Sequence, residues 1–345
     1  MKYKILGKTG MRVSEVCLGA MTFGDNWGGL GADKDESRKV FEGFLAAGGN
    51  FIDTANLYTG GTSETLLGEF MSDKREKIVL ATKYTNSFPT GDPNSAGNHR
   101  KNLVQSLDAS LKRLKTDYID LYWVHAWDFM SSVESVMRAL DDAVRSGKIL
   151  YVGISDAPAW IISQANTMAE LRGWSPFAAV QVEYSLAERT VERDILPMAQ
   201  ALGLTVTPWG PLKGGTLTGK YLDQKMEKDF RFSHEMTKDM YKETERGNAI
   251  AREVIRIATD IGKSPAQVAL AWLKTRGSNI LPIIGAKTFT QLQDNLGCLD
   301  VKLSETQINS LDSVSAIEMG FPTDFYSMPM AKTLMYAGMR EAIEV

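Results

Sequence analysis

The sequence predicts an α/β fold, a (β/α)8 TIM barrel, and three observations carry the prediction. Eight apolar, β-rich runs recur along the chain, helical periodicity fills most of the gaps between them, and 345 residues suit one such barrel with insertions. The runs are 16–21, 50–54, 78–84, 118–125, 151–155, 178–185, 204–210 and 280–286. Strands that alternate with helices imply a parallel sheet, and a count of eight favours a closed barrel over an open doubly wound sheet.

Each intervening element has its own signal. Leu103, Leu107, Leu111 and Leu114 recur at spacings of three and four, the stripe of a helix with one buried face. Similar stripes run through 35–47, 133–145, 159–171 and 248–261. Two segments fall outside the repeat. After the seventh strand comes a polar, lid-like insertion at about 211–246, with Gly214, Gly215, Gly219 and a charge-mixed stretch; long loops in compact domains are usually functional or disordered. The second is a tail at about 315–345 carrying Met319, Met328, Met330, Met335 and Met339, which either caps the barrel mouth or packs on the surface. No Pro-, Gly- or Ser-rich linker divides the chain, so residues 1–345 read as a single domain.

Composition narrows the function. The chain is 43% apolar and 23% charged, enough for a large core. A formal net charge of −3 argues against a nucleic-acid surface or an anionic membrane as partner. Cys17 and Cys298 lie far apart with no metal-ligand spacing, which fits a reduced, cytoplasmic setting and no metal. The opening residues lack the apolar core of a signal peptide, and no run approaches 18 apolar residues, so neither secretion nor a membrane span is expected. Oligomeric state is not legible.

Four reactive side chains sit at or just beyond strand ends: Asp53, Tyr58, Lys83 and His125. In a parallel barrel all strand C-termini converge on one mouth, so an acid, a phenol, an ammonium and an imidazole can meet there and form a proton-transfer site. An unperturbed phenol, with a pKa near 10, is a weak acid at neutral pH. An ammonium about 4 Å away at an effective dielectric near 20 offers roughly 4 kcal/mol, or about three pKa units before desolvation opposes it. Should the reaction also move a hydride, a cofactor must supply it, because side chains do not donate one. No Gly-x-Gly-x-x-Gly joins a strand to a helix, so a dinucleotide must lie across the barrel mouth rather than on a Rossmann loop.

The segments around these residues resemble the aldo-keto reductase family. Leu-Gly-Lys-Thr-Gly-Met-Arg-Val-Ser (6–14) leads into Leu-Gly-Ala-Met-Thr-Phe-Gly (18–24). Phe-Ile-Asp-Thr-Ala-Asn-Leu-Tyr (51–58), Ala-Thr-Lys (81–83), Leu-Tyr-Trp-Val-His (121–125) and Gly-Ile-Ser-Asp (153–156) follow in the family's order. Gln-Val-Glu-Tyr-Ser-Leu (181–186), Thr-Pro-Trp-Gly-Pro-Leu (207–212) and Pro-Ile-Ile-Gly-Ala-Lys-Thr (282–288) complete it over about residues 1–315. The resemblance implies reversible, NADPH-dependent reduction of aldehydes or ketones, with the brief N-terminus of a bacterial-type member. It assigns Tyr58 as proton donor, Lys83 as the group that lowers its pKa, Asp53 as the partner of Lys83, and His125 as a hydrogen-bond donor to the substrate oxygen. Gly19, Ala20 and Thr22 would lie near the cofactor. Ser155, Asp156 and Gln181 would bond the nicotinamide carboxamide, with Asp156 standing where the family usually has Asn. Trp209 offers the ring a flat face, with Tyr184 the weaker candidate.

Barrels commonly hold phosphate on the loops after strands 7 and 8. Here those loops carry Gly210, Pro211, Leu212, Gly214, Leu217 and Lys220, then Gly285, Ala286, Lys287, Thr288, Gln291 and Asn295. Lys287 is expected to meet the adenosine 2′-phosphate, favouring NADPH over NADH. Met21, Trp27, Tyr84, Trp127, Phe129 and parts of the tail are expected to line an apolar pocket for a small carbonyl compound. Three rival readings are weaker. Gly214 to Tyr221 nearly matches a phosphate-binding ATPase loop, but Tyr221 replaces the hydroxyl that would hold magnesium. Gly153 to Ala157 resembles an esterase nucleophile elbow, yet the only later histidine is His234, inside the polar insertion. The third is a cofactor-binding regulatory or redox-sensing subunit of the same superfamily, with little turnover.

Overall fold

The computed structural model describes residues 1–25, 27, 29–88, 90–222 and 244–344. Most of the lid-like insertion therefore lies outside the described residues. Eight parallel strands form the barrel: β3 (Cys17–Gly19), β4 (Phe51–Asp53), β5 (Val79–Tyr84), β6 (Ile119–Val124), β7 (Ile149–Ser155), β8 (Phe177–Glu183), β9 (Thr205–Trp209) and β10 (Ile283–Gly285). They pair in the order β10-β3-β4-β5-β6-β7-β8-β9. Closure between β9 and β10 rests on a parallel bridge from Val206 to Ile280, with Leu281 N–H donating to the Val206 carbonyl at 2.9 Å.

All eight expected strands are present. Preceding them is a hairpin that the sequence reading did not separate, β1 (Tyr3–Ile5) against β2 (Arg12–Ser14). It places Leu6 and Val13 in a buried cluster with Cys17, Phe51, Val79, Leu121 and Leu281. Helices α1 (Lys34–Ala46), α2 (Thr62–Phe70), α3 (Arg100–Leu114), α4 (Val133–Arg145), α5 (Ala159–Arg172) and α6 (Ile195–Leu202) follow successive strands. After β9 come α7 (Glu245–Asp260) and α8 (Pro265–Thr275), and after β10 come α9 (Phe289–Leu296) and α10 (Glu305–Val314).

Strand alternation sorts the side chains into two cores. Phe51, Val79, Ala81, Leu121, Trp123, Ala179 and Ile283 fill the barrel. Ile52, Leu80, Tyr122, Val124, Ile154 and Val180 point outward onto the helices. The same parity aims Asp53, Lys83 and Gln181 inward above the filled interior. The tail folds into α11 (Thr323–Ser327) and α12 (Pro329–Met335) and leaves Phe321, Met330 and Leu334 exposed. Among the described residues no tail side chain bonds or stacks on the four reactive groups, and no helix is long and apolar enough to cross a membrane.

Candidate active site

The four reactive groups meet. Asp53 ends β4 and Lys83 lies near the end of β5, both almost wholly buried. The Lys83 ammonium donates to Asp53 Oδ2, to the Thr54 carbonyl at 2.7 Å and to the Tyr58 hydroxyl at 3.2 Å. Gln181, from the opposite side of the barrel, donates to Asp53 Oδ1 at 3.1 Å. The imidazole of His125, one residue beyond β6, stands edge-on to the Tyr58 ring with centroids 5.9 Å apart, and the Trp27 ring flanks Tyr58 at 6.2 Å.

The backbone is strained on both sides of this group. Tyr58 opens a turn in which Thr59, Gly60 and Gly61 all have positive φ, and for the β-branched Thr59 (φ 48°) that conformation is unfavourable. Its hydroxyl donates to the Phe23 carbonyl at 2.6 Å and accepts from Ser63 N–H at 3.0 Å, fixing the turn. Thr85 (φ 93°) follows β5. Thr85 Oγ1 accepts from the His125 backbone N–H at 3.3 Å and from Asn98 Nδ2 at 2.9 Å.

Electrostatics sharpen the expected roles. Burial works to lower the Lys83 pKa, but Asp53 and then Tyr58 outweigh it, so the ammonium is held charged. Burial pushes the Tyr58 phenol up more than Lys83 pulls it down. The expected lowering by Lys83 is thus present without being the net result. The phenol stays protonated at neutral pH, with the Lys83 ammonium hydrogen-bonded to it. His125 is pushed down to about 3, first by burial and then by Lys83, so its imidazole is neutral. His125 Nδ1 is buried and lacks a hydrogen-bond partner among the described residues, as does Ser155 Oγ at the end of β7. Two buried polar atoms without a partner near the reactive groups fit a polar ligand.

The remaining expected residues divide. Trp209 ends β9, and its indole N–H donates to Asp156 Oδ1 at 3.0 Å. Asp156 is exposed at the mouth and has φ 43°. Crowding protein atoms still push its carboxyl up to about 6, against the downward pulls of Trp209 and Lys83. Tyr184 is buried, with its hydroxyl on Glu192 at 2.6 Å, and offers no face to the mouth. Tyr84 does not line the pocket either. It neighbours inward-facing Lys83, so it points outward, stacks on Tyr122 at 5.4 Å and donates to the Asn98 carbonyl at 3.2 Å. Trp127 is largely buried in the outer core, Met21 and Trp27 are half-buried, and Phe129 is 69% exposed on the loop after β6.

At the ends of β3 and β10, Gly19 lies beside Gly285 in the register, and Thr22 Oγ1 donates to the Ala286 carbonyl at 3.0 Å. Lys287 reaches to the Gly29 carbonyl, on the loop after the neighbouring β3, at 2.6 Å, and its N–H donates to Gln291. Asn295 donates to the Gly285 carbonyl at 3.0 Å. Gly210, Pro211 and Leu212 lead into tight turns over Lys213–Thr218, where Gly214 and Gly215 have positive φ and the side chain of Lys220 packs close to Gly215. Gly219 to Leu222, the described residues that follow, form turns, whereas the ATPase motif runs straight into a helix. For the esterase reading, His234 lies outside the described residues. Sequence reading missed Lys213, which pairs with Glu183 at 2.6 Å, and the loop clamp built by Asn98 and Asp128. Neither belongs to a periodic segment, and only Lys213, next to the paired glycines, carried a hint.

Comparison with known proteins agrees with the geometry. The family model described as the aldo/keto reductase family matches residues 15–316. The chain belongs to the aldo/keto reductase family. It is 39% identical to a norsolorinic acid reductase of Aspergillus flavus over 94% of this chain and 83% of the relative. A putative aryl-alcohol dehydrogenase of Saccharomyces cerevisiae is 36% identical, covering 93% and 88%. An NADP(+) aryl-alcohol dehydrogenase of Phanerodontia chrysosporium is 36% identical, covering 91% and 85%. These relatives are fungal, so the bacterial-type reading of the N-terminus is not supported. This aldo/keto reductase is an oxidoreductase that reduces carbonyl groups with a nicotinamide cofactor.

Proposed function

We propose that this aldo/keto reductase uses NADPH to reduce aldehydes or ketones attached to aromatic rings, with Tyr58 as the proton donor. The observation that carries this reading is the Lys83 ammonium held between Asp53 and the Tyr58 hydroxyl, with a neutral imidazole beside the phenol. A bound nicotinamide cofactor supplies the hydride. The chain's own residues do the rest. Tyr58 releases its proton to the carbonyl oxygen, and the adjacent ammonium offsets the charge left on the phenolate. Asp53, anchored by Gln181, keeps Lys83 charged and aimed. Neutral His125 donates a hydrogen bond to the same oxygen without competing as an acid.

Ser155 Oγ, Asp156 and the Trp209 indole offer polar atoms and a flat face for the nicotinamide end, while Gly19, Ala20 and Thr22 border it. Lys213, Gly214 and Lys220 on one loop, with Gly285, Lys287, Gln291 and Asn295 on the other, suit the phosphates. Exchange of Lys287 from the Gly29 carbonyl to a 2′-phosphate favours NADPH over NADH. The aromatic substrate class rests on the named relatives and on Trp27 and Phe129 at the mouth.

Tyr58→Phe tests the assignment. It keeps the ring contacts and removes only the hydroxyl, so kcat for benzaldehyde-type substrates should fall about 100-fold or more, as expected for loss of a general acid. NADPH affinity should stay within about threefold. Near wild-type turnover would overturn the role of Tyr58.

A further inference from the structure

Beyond recognition of the cofactor lies its oxidation state. Asp156 stands at the end of β7, and its carboxylate is tied to the edge of the Trp209 indole. A flat ring laid on that indole lies beside the carboxylate. The other charges near the mouth are largely matched: Asp53 with Lys83, and Glu183 with Lys213. Among the described residues Asp156 forms no ion pair, and its carboxylate accepts from the neutral indole of Trp209. Its charge nevertheless acts on Tyr58, and that of Lys83 acts on it, so it lies within electrostatic reach of the reacting atoms.

The reduced nicotinamide ring is neutral and the oxidised ring carries a positive charge. We infer that Asp156 makes this site prefer the oxidised nucleotide, stabilising the cationic ring where a neutral amide side chain would not. The inference rests on the nicotinamide reading above. A unit charge about 5 Å away, at an effective dielectric between 40 and 80, changes affinity on the order of four- to fifteenfold. The consequence is a protein that retains NADP+ and is readily inhibited by it during carbonyl reduction.

Asp156→Asn isolates the charge. Asparagine keeps an oxygen to accept from Trp209 and tolerates positive φ, so the indole stays in place. Calorimetric titration of NADP+ and NADPH at pH 8 and low salt gives the readout without turnover. The expected result is a four- to fifteenfold fall in the ratio of NADP+ to NADPH affinity in the variant, whatever loss the two nucleotides share. Added sodium chloride should narrow the NADP+ preference of the wild type more than that of the variant. An unchanged affinity ratio, or equal loss for both nucleotides, would overturn the inference and leave Asp156 as a support for Trp209. If neither nucleotide binds the wild type, the nicotinamide reading itself falls, and the inference with it.

Discussion

At the level of single residues, His125 shows how burial selects a role. Its ordinary pKa of 6.5 is pushed down to about 3, so the folded chain leaves it neutral across the physiological range. An unfolded chain takes up a proton there once the pH drops below about 6.5. Between the two values unfolding binds a proton, so stability falls as pH falls, by at most about 1.4 kcal/mol per unit. His125 is half-buried, and residual solvent will reduce that slope. His125→Gln removes the titration. Urea midpoints measured from pH 7 to pH 4 should therefore drop more steeply for the wild type than for the variant. Parallel pH dependences would show that the imidazole is not held neutral by the fold.

Among the elements, legibility followed periodicity. Asp53 and Lys83 were readable because inward parity and a strand's C-terminal end together specify the mouth. Parity also explains why Tyr84 was misplaced: adjacency to Lys83 along a strand puts it on the opposite face. The hairpin escaped because two three-residue strands are too short to show alternation. The loop clamp escaped because it has no period at all. Asn98, fully buried, gives its N–H to Asp128 Oδ2 at 2.6 Å and accepts from Asp128 N–H at 2.7 Å. Its amide also donates to the Ala126 carbonyl and to Thr85 Oγ1, both at 2.9 Å. Asn98 thereby ties the loop after β5 to the loop after β6, which carries His125 and Phe129. Asn98→Ala leaves buried groups unpaired and should cost about 2–4 kcal/mol in urea unfolding. It should also raise KM for aromatic substrates more than KM for the cofactor. Loss of less than about 1 kcal/mol would mean that water replaces the clamp.

Taken whole, the molecule separates stability from chemistry along the barrel axis. The mouth holds Thr59 and Thr85 with their positive φ, the unpartnered His125 Nδ1 and Ser155 Oγ, and the four reactive side chains. The opposite end is closed by the hairpin, where the Leu6 N–H donates to the Met11 carbonyl at 2.9 Å and the Leu6 side chain is fully buried. Gly7 follows with φ 50° and donates to Thr205 Oγ1 at 2.8 Å; a Cβ at Gly7 would fall 2.3 Å from the Ala178 carbonyl oxygen. The hairpin is thus seated against β8 and β9 by close backbone approach and by an apolar plug. Barrel enzymes place their active sites at the C-terminal face and reserve the other face for stability. Leu6→Ala opens a cavity in the buried cluster that Leu6 shares with Phe51 and Leu121 and should cost about 2–5 kcal/mol. The layers of Ala81, Trp123 and Ala179 lie between that cavity and the four reactive side chains, so kcat and KM at 20 °C should remain within about twofold of wild type. Urea unfolding and steady-state kinetics on the same preparation decide it. A large fall in kcat, with the protein still folded, would show that the floor and the mouth are mechanically coupled.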